Sequence, residues 1–418
     1  MKIVFLLGSY FPNYSAVSRC MGNIADCMED EHDITIISMI TTSQEARFDK
    51  KGKQRIIRIS TKDYRNSLRC QEQASIKRFQ YAEYYYKLKR TAQIVIGRDS
   101  LDRRKVNAYK EALSQLEEIP DMLIPVCMPF ETVIAALDYK KERPECEVKP
   151  YLFDMFAANP RLHRFSWNAN IKMARNQSLE RRMLEESDRI LYVSSWKDYL
   201  GKNFDNGLLQ NAVEVEHPLV VRTESWGKYP FDGSRMNLVY TGVVDKSIRN
   251  PRKVIDVLGP MGSDAAVHFF SMGNAQEIIE NAVSDSVLSH GAVPNTEAHA
   301  AMNNADALIS IGNFGTAQIP SKIFEYISTG LPIIHFQFQD DDPVGPIIEK
   351  YPYSIVIDVN ADPAMQRKQI KEFLAQNKGK RVSFDRIQDL YSDATAENAK
   401  DVILGVKPLL AESLLYDS

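Results

Sequence analysis

Lys322 and Glu325 stand three residues apart in IPSKIFEYISTGLPII (319–334), an otherwise apolar stretch with Pro320 in front and Gly330 behind. Packing alone needs neither charge. Proline at a first turn and glycine beyond the last punctuate a short helix. Proline lacks the N–H that would be unbonded there, and glycine adopts the left-handed conformation that ends the helix. Ile323, Phe324 and Ile327 then supply the inward face. Free N–H groups around Pro320 to Lys322 favour an anion, and a carboxylate one turn in, Glu325, can accept both hydroxyls of a ribose. The plainer alternative is a Glu325 that complements the helix dipole, with Lys322 as its surface partner.

Other residues suggest chemistry less strongly. Asp154 ends a strand in KPYLFDMF (149–156), where a carboxylate can orient or deprotonate a hydroxyl or simply cap the following turn. Arg161, His163 and Arg164 follow it and suit either an anionic acceptor or a solvated loop. His217-Pro218 reads as a structural closure of the N-terminal half, and Asp340 to Asp342 as a charged loop rather than a metal site. No H-E-x-x-H or other ligand spacing occurs among the seven histidines, so no metal is expected. GSYFPNYS after the first strand lacks G-x-G-x-x-G, and no G-x-x-x-x-G-K-[ST] is present. These absences argue against a nicotinamide enzyme and leave an ATPase unsupported.

The elements that must position these residues alternate between strand and helix. Lys2 to Leu7, a helix near Ser15 to Met28 and DITIISMI open a parallel α/β sheet. DMLIPVCMP, KPYLFDMF and RILYVSS continue it, and 60–118 reads as mostly helical. RTESWGKYPFDGSR (222–235) has no periodicity and many turn formers, so it reads as a linker. The pattern then restarts at MNLVYTG. The expected organisation is an N-terminal domain over 1–221, the linker over 222–235 and a C-terminal domain over 236–395. A helical segment over 396–418 would pack back on the N-terminal domain. A chain of 418 residues is long enough for two cores.

The run PSKIFEYISTGLPII resembles the nucleotide-sugar-binding motif of glycosyltransferases with the GT-B fold, specifically those like glycosyltransferase family 4. GAVPNTEAHAAMNNADALISIG resembles the lead-in, and MNLVYTGVVDKSIRNP the first strand of the family's donor domain. The resemblance covers 236–336, and the N-terminal half matches in layout only. It implies an α/β fold of GT-B type, with two doubly wound Rossmann-like domains facing a central cleft. It also implies that Glu325 binds the donor ribose and that backbone at Pro320, Ser321 and Lys322 holds the diphosphate.

Two departures alter the expected site. Ala317 stands where many members carry a sugar-contacting glutamate, and Val243 where a basic residue often follows the glycine matching Gly242. The second basic position is Arg249, with Lys246 nearby, so diphosphate neutralisation is expected from these two. Asn313, Gly315, Thr316 and Gln318 are the expected replacements around the donor sugar.

The resemblance implies transfer of a hexosyl unit from a nucleoside-diphosphate sugar to a glycan or lipid-linked acceptor, in cell-surface polysaccharide biosynthesis. Retention of configuration without a metal or other cofactor is implied as well, with Asp154 as the candidate catalytic residue. A sugar-nucleotide epimerase of the same fold, or a catalytically silent nucleotide-sugar-binding relative, are the alternatives.

Charge adds a second partner. From Arg47 to Lys110 there are 19 Lys and Arg against 6 Asp and Glu, although the whole chain carries a net charge of −3. KRFQYAEYYYKLKR (77–90) combines Lys77, Arg78, Lys87, Lys89 and Arg90 with five aromatic residues. That mixture suits an anionic membrane surface or an anionic acceptor. The aromatics cover too much of a helix for one clean apolar stripe, so some must pack on the domain. Nucleic acid is not expected, because the net charge is negative and no recognition motif is present. The five cysteines contain no C-x-x-C pair, and the N-terminus lacks a signal-peptide pattern. The expected location is cytoplasmic, peripheral at the inner face of the membrane.

Overall fold

The computed structural model describes residues 1–73, 75–159, 162, 165–222, 227–315 and 319–406. Two compact units divide the chain: Met1–Pro218 with Ala396–Ser418, and Leu219–Thr395.

The first unit opens with β1 (Lys2–Leu7), α1 (Ala16–Met28), β2 (Asp33–Met39), β3 (Phe48–Lys51) and β4 (Gln54–Ile59). Three helices follow, α2 (Lys62–Glu72), α3 (Lys77–Ile96) and α4 (Arg103–Ser114). Then come β5 (Met122–Cys127), α5 (Glu131–Glu142), β6 (Glu147–Val148), β7 (Tyr151–Leu152) and α6 (Ser166–Glu186). The last elements are β8 (Ile190–Tyr192), α7 (Lys197–Asn203) and β9 (Ala212–Glu214).

The sheet order is β3-β4-β2-β1-β5-β7-β8-β9, with β6 beside β5. β1 is buried along Ile3 to Leu7, as the apolar run KIVFLL requires of a central parallel strand covered on both faces. α1 starts at a reciprocal cap in which Ser15 and Ser18 satisfy each other's backbone N–H. The antiparallel pair β3–β4 is an element that the charge-dense sequence around Lys50 to Lys53 did not announce.

α6 carries a buried polar row, Asn168, Lys172, Asn176 and Glu180, at four-residue spacing along one face. Its members bind backbone of other segments. Lys172 donates to the carbonyls of Ile94 and Asp99, Asn176 accepts from the Ser100 amide, and Glu180 accepts from the Ala157 amide. α3, by contrast, has no buried residue.

The second unit runs β10 (Met236–Val243), α8 (Arg252–Leu258), β11 (Ala265–Met272), α9 (Gln276–Glu280) and β12 (Val287–Ser289). α10 (Asn295–Asn304), β13 (Ala307–Ile311), α11 (Lys322–Ser328), β14 (Ile333–Gln337) and α12 (Gly345–Glu349) follow. β15 (Ser354–Asp358), α13 (Pro363–Asn377) and α14 (Phe384–Leu390) complete it. All six strands are parallel, in the order β12-β11-β10-β13-β14-β15. Leu238, Tyr240, Phe269, Ile309, Ile311 and Phe336 form the core on one face with Val254, Ile370 and Phe373.

The chain enters and leaves this unit side by side, where Val220 pairs with Thr395. α15 (Ala396–Leu404) then packs on α1 of the first unit. Lys400 pairs with Glu31 at 2.9 Å, and Lys149 and Arg189 donate to the carbonyls of Ile403 and Val402.

Candidate donor site and acceptor-side site

The opening motif forms the strand–loop–helix expected, but the helix is short. α11 spans Lys322–Ser328, with Ser321 at its N-cap in a helical conformation. Its seven residues give a weak macrodipole, so side chains must carry most of any anion binding. Gly330 has φ of +75°, and a Cβ there would collide with the Val382 carbonyl. That glycine both ends the helix and admits the neighbouring chain, whose Val382 amide donates to the Gly330 carbonyl at 2.9 Å. Tyr326, fully buried, fixes α11 to β10. Its hydroxyl donates to the Thr241 carbonyl at 2.9 Å and accepts from the Thr241 amide at 2.8 Å.

Lys322 and Glu325 pair with each other, Nζ to Oε2 at 2.6 Å. Glu325 is 18% and Lys322 34% exposed, so a ligand that displaced this partly solvated bond would forgo little. Arg249 lies opposite. Its Nε and Nη2 donate to the Asn313 amide oxygen at 3.0 and 2.7 Å. Arg249 is positioned by a closed turn in which Asp245 and Arg249 exchange two backbone hydrogen bonds of 3.0 Å. Hydrogen bonds to Asp245 from Ser247, Ile248 and Asn274 outweigh its slight desolvation and hold its carboxyl near a pKa of about 2. The Phe314 amide donates to the Ile248 carbonyl at 2.8 Å, which ties this turn to the loop after β13.

Tyr240, Arg249, Ser310, Pro320, Lys322 and Tyr326 line a small open pocket. Gly242, with φ of +146°, is the penultimate residue of β10. Gly315 has φ of +68°, and its amide donates to Gln339 Oε1 at 2.6 Å. Lys246 is placed differently. Its ammonium lies 3.6 Å from Glu277 on the surface, and it is not among the pocket's walls. Thr316 and Gln318, with Ala317, lie outside the described residues, as do Arg161, His163 and Arg164.

Beneath the pocket lies a buried chain that sequence reasoning missed. His335 contacts Ser310 Oγ through Nδ1 at 3.0 Å and Asp342 Oδ2 through Nε2 at 3.2 Å. Asp342 also accepts from the Val344 amide at 2.9 Å. Of the acidic triplet, Asp340 and Asp341 are therefore an exposed loop, while Asp342 belongs to the interior. Among the described residues, no group of three His, Cys, Asp or Glu side chains is placed to hold a metal.

In the first unit, Asp154 follows β7 at the carboxyl end of the sheet. Its amide donates to the Cys127 carbonyl at 3.3 Å, and its own carbonyl accepts from the Cys127 thiol at 3.0 Å. The basic residues of α3 separate into two groups. Lys87 pairs with Glu83 and Lys89 with Asp63, both at 2.7 Å. Among the described residues, no carboxylate pairs with Lys77, Arg78 or Arg90. No helix among the described residues is long and apolar enough to cross a membrane.

This architecture is the GT-B fold. Sucrose-phosphate synthase from Thermosynechococcus elongatus superposes with a TM-score of 0.63 at 10% identity, over 97% of both chains. The UDP-forming trehalose-phosphate synthase of Burkholderia vietnamiensis gives 0.56 at 11% identity, over 97% of this chain and 98% of the other. A putative UDP-N-acetylglucosamine 2-epimerase from Listeria monocytogenes gives 0.56 at 12% identity, over 97% and 95%. No protein-family model matches the chain, and no curated protein sequence does.

Proposed function

We propose that the protein is a glycosyltransferase that moves a hexosyl unit from a nucleoside-diphosphate sugar to a glycan or lipid-linked acceptor, in cell-surface polysaccharide biosynthesis. The observation that carries the reading is that Arg249 and Lys322 line one small pocket at the carboxyl ends of β10 and β13, with Glu325 paired to Lys322 beside it. Ligands of open α/β sheets bind at such strand ends. Arg249 and Lys322 would neutralise the diphosphate as it leaves, and Glu325 would exchange Lys322 for the ribose hydroxyls. Rate enhancement then comes from positioning and from stabilising the departing charge. Release of free nucleoside diphosphate that depends on an added acceptor tests the reading. Release that ignores the acceptor, or none at all, counts against it.

The acceptor reading includes docking on an anionic membrane surface. Tyr81, Tyr84, Tyr85 and Leu88 are 76, 63, 58 and 51% exposed. Their spacing places them along one face of α3, while Phe79 and Tyr86 are half-buried. An apolar stripe turned to solvent marks an interaction surface, and tyrosine suits the membrane interface. Lys77 and Arg78 begin the same helix, so the complementary partner is anionic. Each adds about 1 kcal/mol near such a leaflet. Lys87 and Lys89 are already paired and contribute less.

A further inference from the structure

Ser310 and His335 stand opposite each other across β13 and β14. Two residues earlier the same face holds the pair Leu308 and Ile333, both fully buried, as a parallel sheet covered by helices requires. The row beneath the pocket is polar instead. Ser310 Oγ lies 3.0 Å from His335 Nδ1, and His335 Nε2 lies 3.2 Å from Asp342 Oδ2. The side chains of His335 and Asp342 are fully buried, and of the three only Ser310 lines the pocket. Gly312 makes room for the chain, since a Cβ there would run into the Asp342 carboxylate.

Burying a histidine against a carboxylate costs desolvation that apolar side chains of like size would not. The end of the chain that opens to a ligand is the Ser310 hydroxyl. A carboxylate on Nε2 fixes that nitrogen as the N–H donor, and the Val344 amide holds Asp342 in place for this at 2.9 Å. Nδ1 then has two states. In the neutral ring it accepts the Ser310 hydrogen, which leaves only lone pairs of Oγ towards the pocket. In the charged ring it donates to Oγ, and the hydroxyl hydrogen is free to turn to a ligand. A phosphate oxygen is an acceptor, so it repels the first state and bonds to the second. Charge acts in the same direction. Arg249 and Lys322 on the pocket wall oppose a further positive charge on the ring, and a bound phosphate removes that opposition. Asp342 offsets the charge once it forms. The other titratable groups around the pocket are Tyr240, Tyr326 and Glu325, the last paired with Lys322. β15 sets the apolar Val356 opposite His335, and Asp340 and Asp341 lie out in solvent.

We infer that Ser310 is a phosphate-contacting residue of the donor site, positioned by His335 and Asp342, and that the site takes up a proton at His335 Nδ1 when a nucleoside diphosphate binds. The inference rests on the diphosphate assignment made above. The proton comes from the solvent buffer and returns to it when the diphosphate leaves, and no covalent bond to a heavy atom forms or breaks. The diphosphate gains a hydroxyl hydrogen bond and a buried positive charge beyond those of Arg249 and Lys322. Proton and ligand each favour the binding of the other, so affinity for the diphosphate falls as pH rises.

Calorimetric titration of the full chain with UDP, GDP and ADP, in buffers of differing ionisation enthalpy, counts the protons. At pH 8 the parent should take up about one proton for each diphosphate bound, and affinity should fall by up to about tenfold per pH unit above that. The free nucleoside should bind with no uptake. Histidine ¹⁵N NMR should show the His335 ring pass from the neutral Nε2–H tautomer to the imidazolium as the diphosphate saturates the site. Ser310→Ala should weaken the diphosphate by about tenfold or more and spare the nucleoside. His335→Gln should abolish the uptake, and the NMR titration and Ser310→Ala decide the matter whether or not that variant folds. Three results overturn the inference and leave the transferase reading intact. They are diphosphate bound without proton uptake, a ring that keeps one charge state throughout, and equal losses for diphosphate and nucleoside in Ser310→Ala. Proton uptake without acceptor-dependent release of nucleoside diphosphate overturns the transferase reading and leaves the inference standing. A parent that binds none of the three diphosphates overturns both.

Discussion

Arg249 grips Asn313 through two guanidinium nitrogens, Nε at 3.0 Å and Nη2 at 2.7 Å from the same amide oxygen. The bond joins the turn after β10 to the loop after β13, so the protein's own contacts hold the guanidinium in place. Pre-positioned charge costs no reorganisation at the moment of reaction.

Arg249→Ala should therefore weaken nucleoside diphosphate far more than free nucleoside. Loss of a charged hydrogen bond costs about 1.5–3 kcal/mol, or roughly 10- to 150-fold in affinity. Titration calorimetry with the two ligands measures the difference. Equal losses would make Arg249 a structural tie between loops and no phosphate ligand.

Glu325→Ala should weaken both nucleoside and nucleoside diphosphate, by about 1.5–3 kcal/mol, without lowering the melting temperature of the free protein appreciably. Its ion pair with Lys322 is partly solvated, so stability loses little. Glu325→Gln keeps the size and removes the charge, which separates the two contributions. Undiminished nucleoside affinity in the alanine variant would remove Glu325 from the ribose.

Glu180 gives a pH prediction. Burial raises its pKa to about 7, against bonds from the Ala157 amide and the Tyr199 hydroxyl that favour the charged form. The folded protein thus holds a proton that the unfolded chain releases near pH 4.5. The associated stability is complete below about pH 4.5, declines as pH rises towards 7, and is lost above it. Glu180→Gln should be more stable than the parent at pH 8, by a few kcal/mol on the order set by such a shift. Near pH 4.5 the difference should vanish. Urea unfolding at the two pH values measures this, and a difference that grows towards acid would contradict the assignment.

Vesicle co-sedimentation tests the outer stripe of α3. The parent should pellet with anionic vesicles at low salt, and not with neutral ones. Serine at Tyr84, Tyr85 and Leu88, or glutamate at Lys77 and Arg78, should release it. Glutamate at Lys87 and Lys89 should act more weakly. A parent that stays in the supernatant with anionic vesicles at low salt would end the docking proposal.

The alternation of strands and helices was legible because parallel strands need continuous apolar runs, such as KIVFLL and DALISI. The α11 motif was legible because Pro320 and Gly330 bracket it. Its onset at Lys322 was not, since a proline marks a first turn only within a residue or two. What escaped depends on partners remote in sequence. Ser194 meets Glu216 only through the register of β8 and β9, and Tyr326 meets Thr241 from 85 residues away. Asp342 looked like one charge of three until His335, on β14, proved to lie against it. The outward stripe of α3 was hidden by composition, because seven aromatic and basic residues within ten positions fit several faces equally well.

The most direct test of the transferase account is product analysis by NMR and mass spectrometry with a panel of UDP-, GDP- and ADP-sugars and candidate glycan and lipid-linked acceptors. The account predicts a new glycoside, with one nucleoside diphosphate released for each bond formed. An isomeric nucleotide sugar as the sole product, or a donor that binds and is returned unchanged with every acceptor, would contradict it.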